Sequence, residues 1–348
     1  MAAVNTAASL ALHGDIKQQI DSFGDLVPVE FHGLWGHLEA QFLEGRMVQR
    51  GVIDTPVYWF SPASRSCIGF WKFRDGVLPD NQPVQETTLL TLMDDVTGEL
   101  AYRSFVAEAK NEQYIGFTVN LNISRKAASP RARWFYFQAT AVTVAGRKVT
   151  IECPLFDAHT GKVLLVARAV FVFMPLARNA KRLDISDDAT DPLAPLHLDS
   201  TDAQELSAVD LHSLGQVMNF LPHGAVTHKA GLASAKEKRL AVRLDFGEGL
   251  SGPPIYVHGG VLGTVLYNAS LLLLEKTAGP RAALATASVR DINYHRGVPL
   301  ECEDVLIDAV VESADSQQVT IWAKLIRGPR LHTTLRTTFA LPQTSSKL

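Results

Sequence analysis

The chain runs twice through the same order of elements, and this repetition constrains its fold more than any other feature. In the first pass, Gln85-Glu86-Thr87-Thr88-Leu89 opens a helix predicted to reach about Ala109. In the second, His258-Gly259-Gly260-Val261-Leu262 opens one predicted to reach about Thr277. Four strand-like segments follow each helix, alternating or fully apolar in character. The first set is Tyr114–Ile123, Trp134–Val144, Lys148–Asp157 and Leu164–Met174. The second is Ala285–Asn293, Glu303–Ser313, Gln318–Ile326 and Leu331–Leu341. Matched points keep a nearly constant offset: Gln85 to His258 is 173 positions, Thr118 to Ser288 is 170, and Pro175 to Pro342 is 167. A duplicated module of one long helix and an antiparallel sheet that can wrap it predicts an α+β fold.

A polar stretch, Leu176–Ser200, separates the two passes. It carries Asp184, Asp187, Asp188 and Asp191 with Pro192 and Pro195, and it lacks an apolar period. A helix-like segment precedes each module: Asp15–Leu26, and Thr201–Phe220 with Thr201 as the expected N-cap. The expected layout is an N-terminal extension over 1–64, a first repeat over 65–175, a linker and helix over 176–237, a second repeat over 238–342, and a tail over 343–348.

Composition narrows the function classes. Apolar residues make up 47% and charged residues 20%, so the chain can bury a large core and is not a disordered type. A formal charge of −3 gives no electrostatic reason to expect nucleic acid or an anionic membrane as a partner. The longest apolar stretch, Val261–Leu274, is broken by Asn268 and Ser270. It falls short of the roughly 20 residues a spanning helix needs. Cys67, Cys153 and Cys302 lie far apart with no metal-ligand spacing, as expected of buried thiols in a reducing compartment. Met1–His13 has neither a basic n-region nor an apolar h-region, so no secretory signal is expected. The chain ends in Ser346-Lys347-Leu348, a tripeptide read by the peroxisomal import receptor, so localisation to the peroxisome (or a related organelle such as the glycosome) is expected.

The segment Tyr256-Val257-His258-Gly259-Gly260-Val261-Leu262-Gly263-Thr264 resembles the start of the central helix in hotdog-fold acyl-CoA thioesterases of the HGG (PaaI-like) group. Leu89–Gly98 is similar to the helix that follows that start, Gly116–Ser124 to the next strand, and Ala167–Pro175 to the last strand. The likeness covers residues 65–175 and 238–342. It implies two tandem hotdog repeats forming a pseudo-dimer, a thioester hydrolase without metal or redox cofactor, and acyl-CoA as substrate. A further homodimer of such chains is a possibility the family suggests.

The resemblance also implies roles. In the group, an acidic residue lies nine positions after the His of HGG; that position is Asp94 in the first repeat and Tyr267 in the second. The glycines survive in the second repeat and are Glu86 and Thr87 in the first. Each repeat thus keeps the half the other has lost, and one composite site of Asp94 with Gly259 and Gly260 is implied. Backbone N–H groups at a helix start can form an oxyanion hole, and glycine lets a carbonyl approach them. Asp94 is the implied general base or nucleophile, Thr118 the hydroxyl that orients the water, and His258 a residue that shapes the turn rather than transfers protons. Arg125, Lys126 and Arg133, with Arg131, form a local basic cluster that could hold the phosphates of coenzyme A or be a charged surface loop. Phe31-His32-Gly33-Leu34-Trp35-Gly36-His37 mimics a His-Gly helix start, but no strand series follows it. Two alternatives stay open: a hydratase or dehydratase on the same architecture, whose YxxSGDxNPxH loop is not found, and a non-catalytic acyl-CoA-binding protein.

Overall fold

The computed structural model describes residues 27–29, 47–48, 50–54, 56–74, 84–106, 114–127, 133–175, 198, 201–216, 225–247, 249–250 and 256–342. The chain divides into two compact units, Met1–Thr118 with Ile123–Leu176, and Val119–Asn122 with Ala177–Leu348.

The first unit contains β1 (Val27–Val29), β2 (Val57–Ser61), β3 (Ser66–Lys72), α1 (Glu86–Val106), β4 (Tyr114–Arg125, apart from Val119–Asn122, which count with the second unit), β5 (Trp134–Ala145), β6 (Lys148–Asp157) and β7 (Val163–Pro175). Its strands lie in the order β1-β2-β3-β5-β6-β7-β4, and α1 packs on β5, β6 and β7. The helix buries Leu90, Leu92, Met93, Val96, Leu100 and Ala101 almost completely, which spreads apolar contact around much of its circumference. Its polar Thr97 is accommodated by turning the hydroxyl back onto the Met93 carbonyl at 2.7 Å.

The second unit contains β8 (Gln204–Glu205), α2 (Ala208–Gln216), β9 (Val226–Ser234), β10 (Arg239–Phe246), α3 (Gly259–Ala278), β11 (Thr286–Tyr294), β12 (Val305–Ala314), β13 (Gln318–Arg327) and β14 (Arg330–Ala340). Its strand order is β8-β9-β10-β12-β13-β14-β11, so adding seven to each strand of the first unit gives the second. The same shift holds for helix packing, with α3 on β12, β13 and β14. Almost every α3 side chain from Gly260 to Leu274 is buried, and Ser270 returns its hydroxyl to the Leu266 carbonyl at 2.9 Å. Gly279, at φ +59°, ends the helix in a conformation that favours glycine, with its N–H on the Glu275 carbonyl. Each unit is therefore a hotdog, a long helix laid on an antiparallel sheet, and the duplication seen in the sequence is a duplication of structure.

One local expectation is corrected. Thr201 does not cap the helix: residues 201–202 turn, β8 pairs with β9, and the helix, α2, starts at Ala208, while its expected end at Phe220 lies outside the described residues. Two contacts decide this. Asp202 accepts hydrogen bonds from Ser234 Oγ (2.6 Å) and Lys236 N (2.9 Å), which fixes the turn. Ser207 and Asp210 then form a reciprocal capping box, with Asp210 N on Ser207 Oγ and Ser207 N on Asp210 Oδ2, both at 3.1 Å. The expected helix over Asp15–Leu26 and the segment Phe31–His37 lie outside the described residues, as do Arg131 and Ser346–Leu348. Among the described residues, no helix is long and apolar enough to cross a membrane.

Candidate active site

In the first unit, α1 carries Asp94 inward and β4 brings Thr118 to it. Asp94 is only 4% exposed, and Thr118 Oγ1 donates to its Oδ1 at 3.0 Å. A buried carboxylate needs such a charge-assisted donor to remain ionised. A threonine hydroxyl that donates its proton keeps lone pairs able to accept from a water. The pair can thus hold a water against a base. The first residues of α1 offer no glycine: Thr88 N and Leu89 N both donate to the Gln85 carbonyl (3.1 and 3.2 Å), and Thr87 is buried at the place that matches Gly260.

In the second unit, His258 caps α3. Its Nδ1 accepts from Gly260 N at 3.0 Å, which requires that Nδ1 carry no proton, while its carbonyl accepts from Val261 N (3.0 Å) and Leu262 N (3.2 Å). Capping takes one of the two glycine amides. The other, Gly259 N, stands at the first helical position, where no intrahelical acceptor exists, and it meets no acceptor among the described residues. The available donor at this helix start is Gly259 N, with the positive end of the helix dipole behind it. The side chain of Tyr294, on β11, donates to the Gly259 carbonyl at 3.0 Å and braces the turn from the sheet.

Tyr267, which stands where the first unit has Asp94, stacks on Phe339 with ring centroids 6.0 Å apart. The guanidinium of Arg290 lies 4.8 Å from the centre of the Tyr267 ring. Arg290 is 2% exposed, and burial draws its pKa down to about 10. The second helix therefore presents an aromatic ring under a buried cation rather than an acid.

Arg125 ends β4, half-buried, with its Nε on the Ala127 carbonyl at 3.4 Å. Exposed Lys126 follows, its N–H on the Leu164 carbonyl at 2.8 Å, and the Arg133 carbonyl accepts from Phe73 N at 2.9 Å. Neither Tyr294 nor Arg290 is marked in the sequence, because a strand residue's partners depend on register and on the packing of a distant helix.

No protein-family model matches the chain, and no curated protein does. Solved structures do match at low identity. One is the 12:0-ACP thioesterase from Umbellularia californica: 11% identical, covering 80% of this chain and 95% of that one, with a TM-score of 0.46. Another is the acyl-CoA thioesterase II from Mycobacterium marinum: 14% identical, 81% and 94% covered, TM-score 0.45. A third is a conserved protein of unknown function with a hot dog fold from Alicyclobacillus acidocaldarius: 13% identical, 79% and 93% covered, TM-score 0.47. Hotdog-fold thioesterases are thus structural neighbours of the chain.

Proposed function

We propose that this chain hydrolyses acyl-CoA thioesters to a free acid and coenzyme A, with Asp94 and Thr118 of the first unit holding and activating the water. The observation that carries this reading is the hydrogen bond from Thr118 to the buried Asp94 carboxylate. A buried acid is costly unless it has a task or a partner, and here the partner is a hydroxyl suited to holding a water. In the second unit, the amide of Gly259, at the positive end of a 20-residue helix, is a donor of the kind that suits an anionic oxygen.

In the proposed reaction, Asp94 takes a proton from a water that also donates to the Thr118 oxygen. The water oxygen bonds to the thioester carbon, and the carbonyl electrons move onto the carbonyl oxygen. Collapse of the tetrahedral intermediate breaks the C–S bond, and the proton on Asp94 passes to the departing thiolate. His258 holds the helix start in shape and takes no part in proton transfer. Ser346-Lys347-Leu348 suits delivery to the peroxisome, which a fluorescent fusion with and without Leu348 tests.

The test of the activity is thiol release from a panel of acyl-CoAs. Stoichiometric free thiol and acid support the hydrolase. Loss of enoyl absorbance without thiol marks a hydratase instead, and saturable binding without either marks a binding protein.

A further inference from the structure

We propose that Tyr294 is a positioning residue for the start of α3: by gripping the Gly259–Gly260 peptide it keeps the Gly259 amide aimed at an acyl oxygen, a thioester carbonyl or a carboxylate. This rests on the hydrolase reading for the acyl nature of the ligand.

Two consecutive glycines leave a backbone loose, because neither carries the Cβ that narrows φ and ψ. Here the peptide between them is held at both ends. Gly260 N donates to His258 Nδ1 at 3.0 Å, and the Gly259 carbonyl accepts from the Tyr294 hydroxyl at 3.0 Å. The preceding peptide is held through the His258 carbonyl, which accepts from Val261 N and Leu262 N. Gly259 N therefore belongs to one fixed peptide and precedes another. Gly259 is half-buried where Gly260 is buried, so its amide is the one within a ligand's reach.

The chain that follows Tyr294 is zipped to the chain that enters α3. Val257 N donates to the Val298 carbonyl at 2.8 Å, and Tyr256 bridges to Pro299. The Tyr256 ring lies so close over Gly297 that a Cβ there would come within 2.4 Å of it. The Tyr294 hydroxyl closes this contact at the helix itself.

The first unit shows the same corner without the device. Both units carry a bulge at matching register, at Leu155/Phe156 against β7 and at Leu325/Ile326 against β14. The bulged residues each accept two amides on their carbonyls. Leu164 takes Lys126 N and Ala127 N, and His332 takes His295 N and Arg296 N, in both cases at 2.8 and 3.1 Å. This matches Arg125 with Tyr294 and Leu165 with Thr333. Arg125 turns its Nε back to the Ala127 carbonyl at 3.4 Å, whereas Tyr294 reaches the helix. The tyrosine stands in the unit whose helix begins with glycines.

Thr333 points independently to a ligand on this face. It lies directly opposite Tyr294 on β14, so the two side chains leave the sheet on the same side. It is fully buried, and its Oγ1 has no hydrogen-bond partner among the described residues. A buried hydroxyl left open destabilises the fold until a polar atom meets it. Leu165, its counterpart in the first unit, makes no such demand.

The experiment is calorimetric titration of the full chain and of Tyr294→Phe with two coenzyme A ligands. One is a thioether bearing a trifluoromethyl ketone, whose hydrate presents an acidic oxygen. The other is the matching S-alkyl thioether without that oxygen. Tyr294→Phe keeps the ring and is expected to bind the ketone roughly three- to tenfold more weakly, as for loss of one hydrogen bond, and the thioether as wild type does. Tyr294→p-aminophenylalanine restores a donor at the same place and is expected to recover the ketone affinity. Tyr294-dependent binding of a free fatty acid, without such binding of the ketone, assigns the oxygen to a carboxylate and keeps the role. Wild type that binds neither ketone nor acid, a change equal for ketone and thioether, no change for ketone or acid, or no recovery with the amine overturns it. Absent thiol release with intact Tyr294-dependent binding instead overturns the hydrolase and leaves the positioning role standing.

Discussion

Thr118 Oγ1 donates to Asp94 Oδ1 at 3.0 Å, joining a helix and a strand 24 positions apart in sequence. The bond fixes which way a carboxylate with 4% exposure faces and gives it a neighbour that can also hold water.

Asp94→Asn keeps an oxygen able to accept from Thr118 and removes the base. Thiol release is expected to fall about 10²–10⁴-fold in kcat, the usual scale for a lost general base. The melting temperature should stay close to wild type. Hydrolysis within a few-fold of wild type removes Asp94 from the mechanism.

Thr118→Val and Thr118→Ser separate hydroxyl from shape. The valine variant loses a hydrogen bond to a charged group, worth about 1.5–3 kcal/mol, and a fall in kcat of roughly tenfold or more is expected. The serine variant keeps the donor and should remain within a few-fold. Equal losses in both point to packing of the Thr118 methyl group.

His258→Ala removes the side-chain cap on Gly260 N and is expected to cost roughly 1 kcal/mol of stability in a urea titration. Asparagine is a good N-cap, so His258→Asn should recover most of that loss and sustain thiol release. A stable but inactive His258→Asn assigns His258 a proton-transfer role.

His332 gives the protein a pH-dependent corner. Its Nδ1 donates to the Gly297 carbonyl, and burial, with Arg327, Arg296 and Arg330 nearby, holds its pKa near 4 against 6.5 for an ordinary histidine. The unfolded chain therefore binds more protons between these values. The stabilising contribution is complete above about pH 6.5 and is lost as pH falls through 4, up to about 3 kcal/mol in all. His332→Gln keeps a donor and removes the titration. Its urea midpoint should fall less than that of wild type between pH 7 and pH 4.5; an equal fall in both contradicts the assignment.

Much of this was legible in the sequence because the duplication supplies two readings of each element. The eight strands downstream of the helices, and the start of α3, lie within two residues of where alternation and turn residues put them. The leading strands were harder to read. In β2, Val57-Tyr58-Trp59-Phe60-Ser61 is apolar on both faces, and β9 carries Thr227, His228 and Lys229 without a clean alternation. Thr201 looked like a cap because a hydroxyl preceded an apolar period. The Ser207–Asp210 box, visible only as four letters, won because Asp202 is held by Ser234. Asp94, Thr118, His258 and Gly259 stand out only through likeness to a family, since spacing alone leaves Asp94 an ordinary helix residue. Arg290 under Tyr267 and Arg327 opposite Arg330 depend on strand register, which no short stretch of letters encodes.

The central claim is the proposal that Asp94, held by Thr118, activates the water that opens the thioester. The most direct test is a crystal structure of the protein with a non-hydrolysable acyl-CoA analogue. The hydrolase proposed here places the carbonyl carbon within reach of a water bound to Asp94 and Thr118. An analogue whose carbonyl carbon lies out of reach of any water held by Asp94 and Thr118 contradicts it.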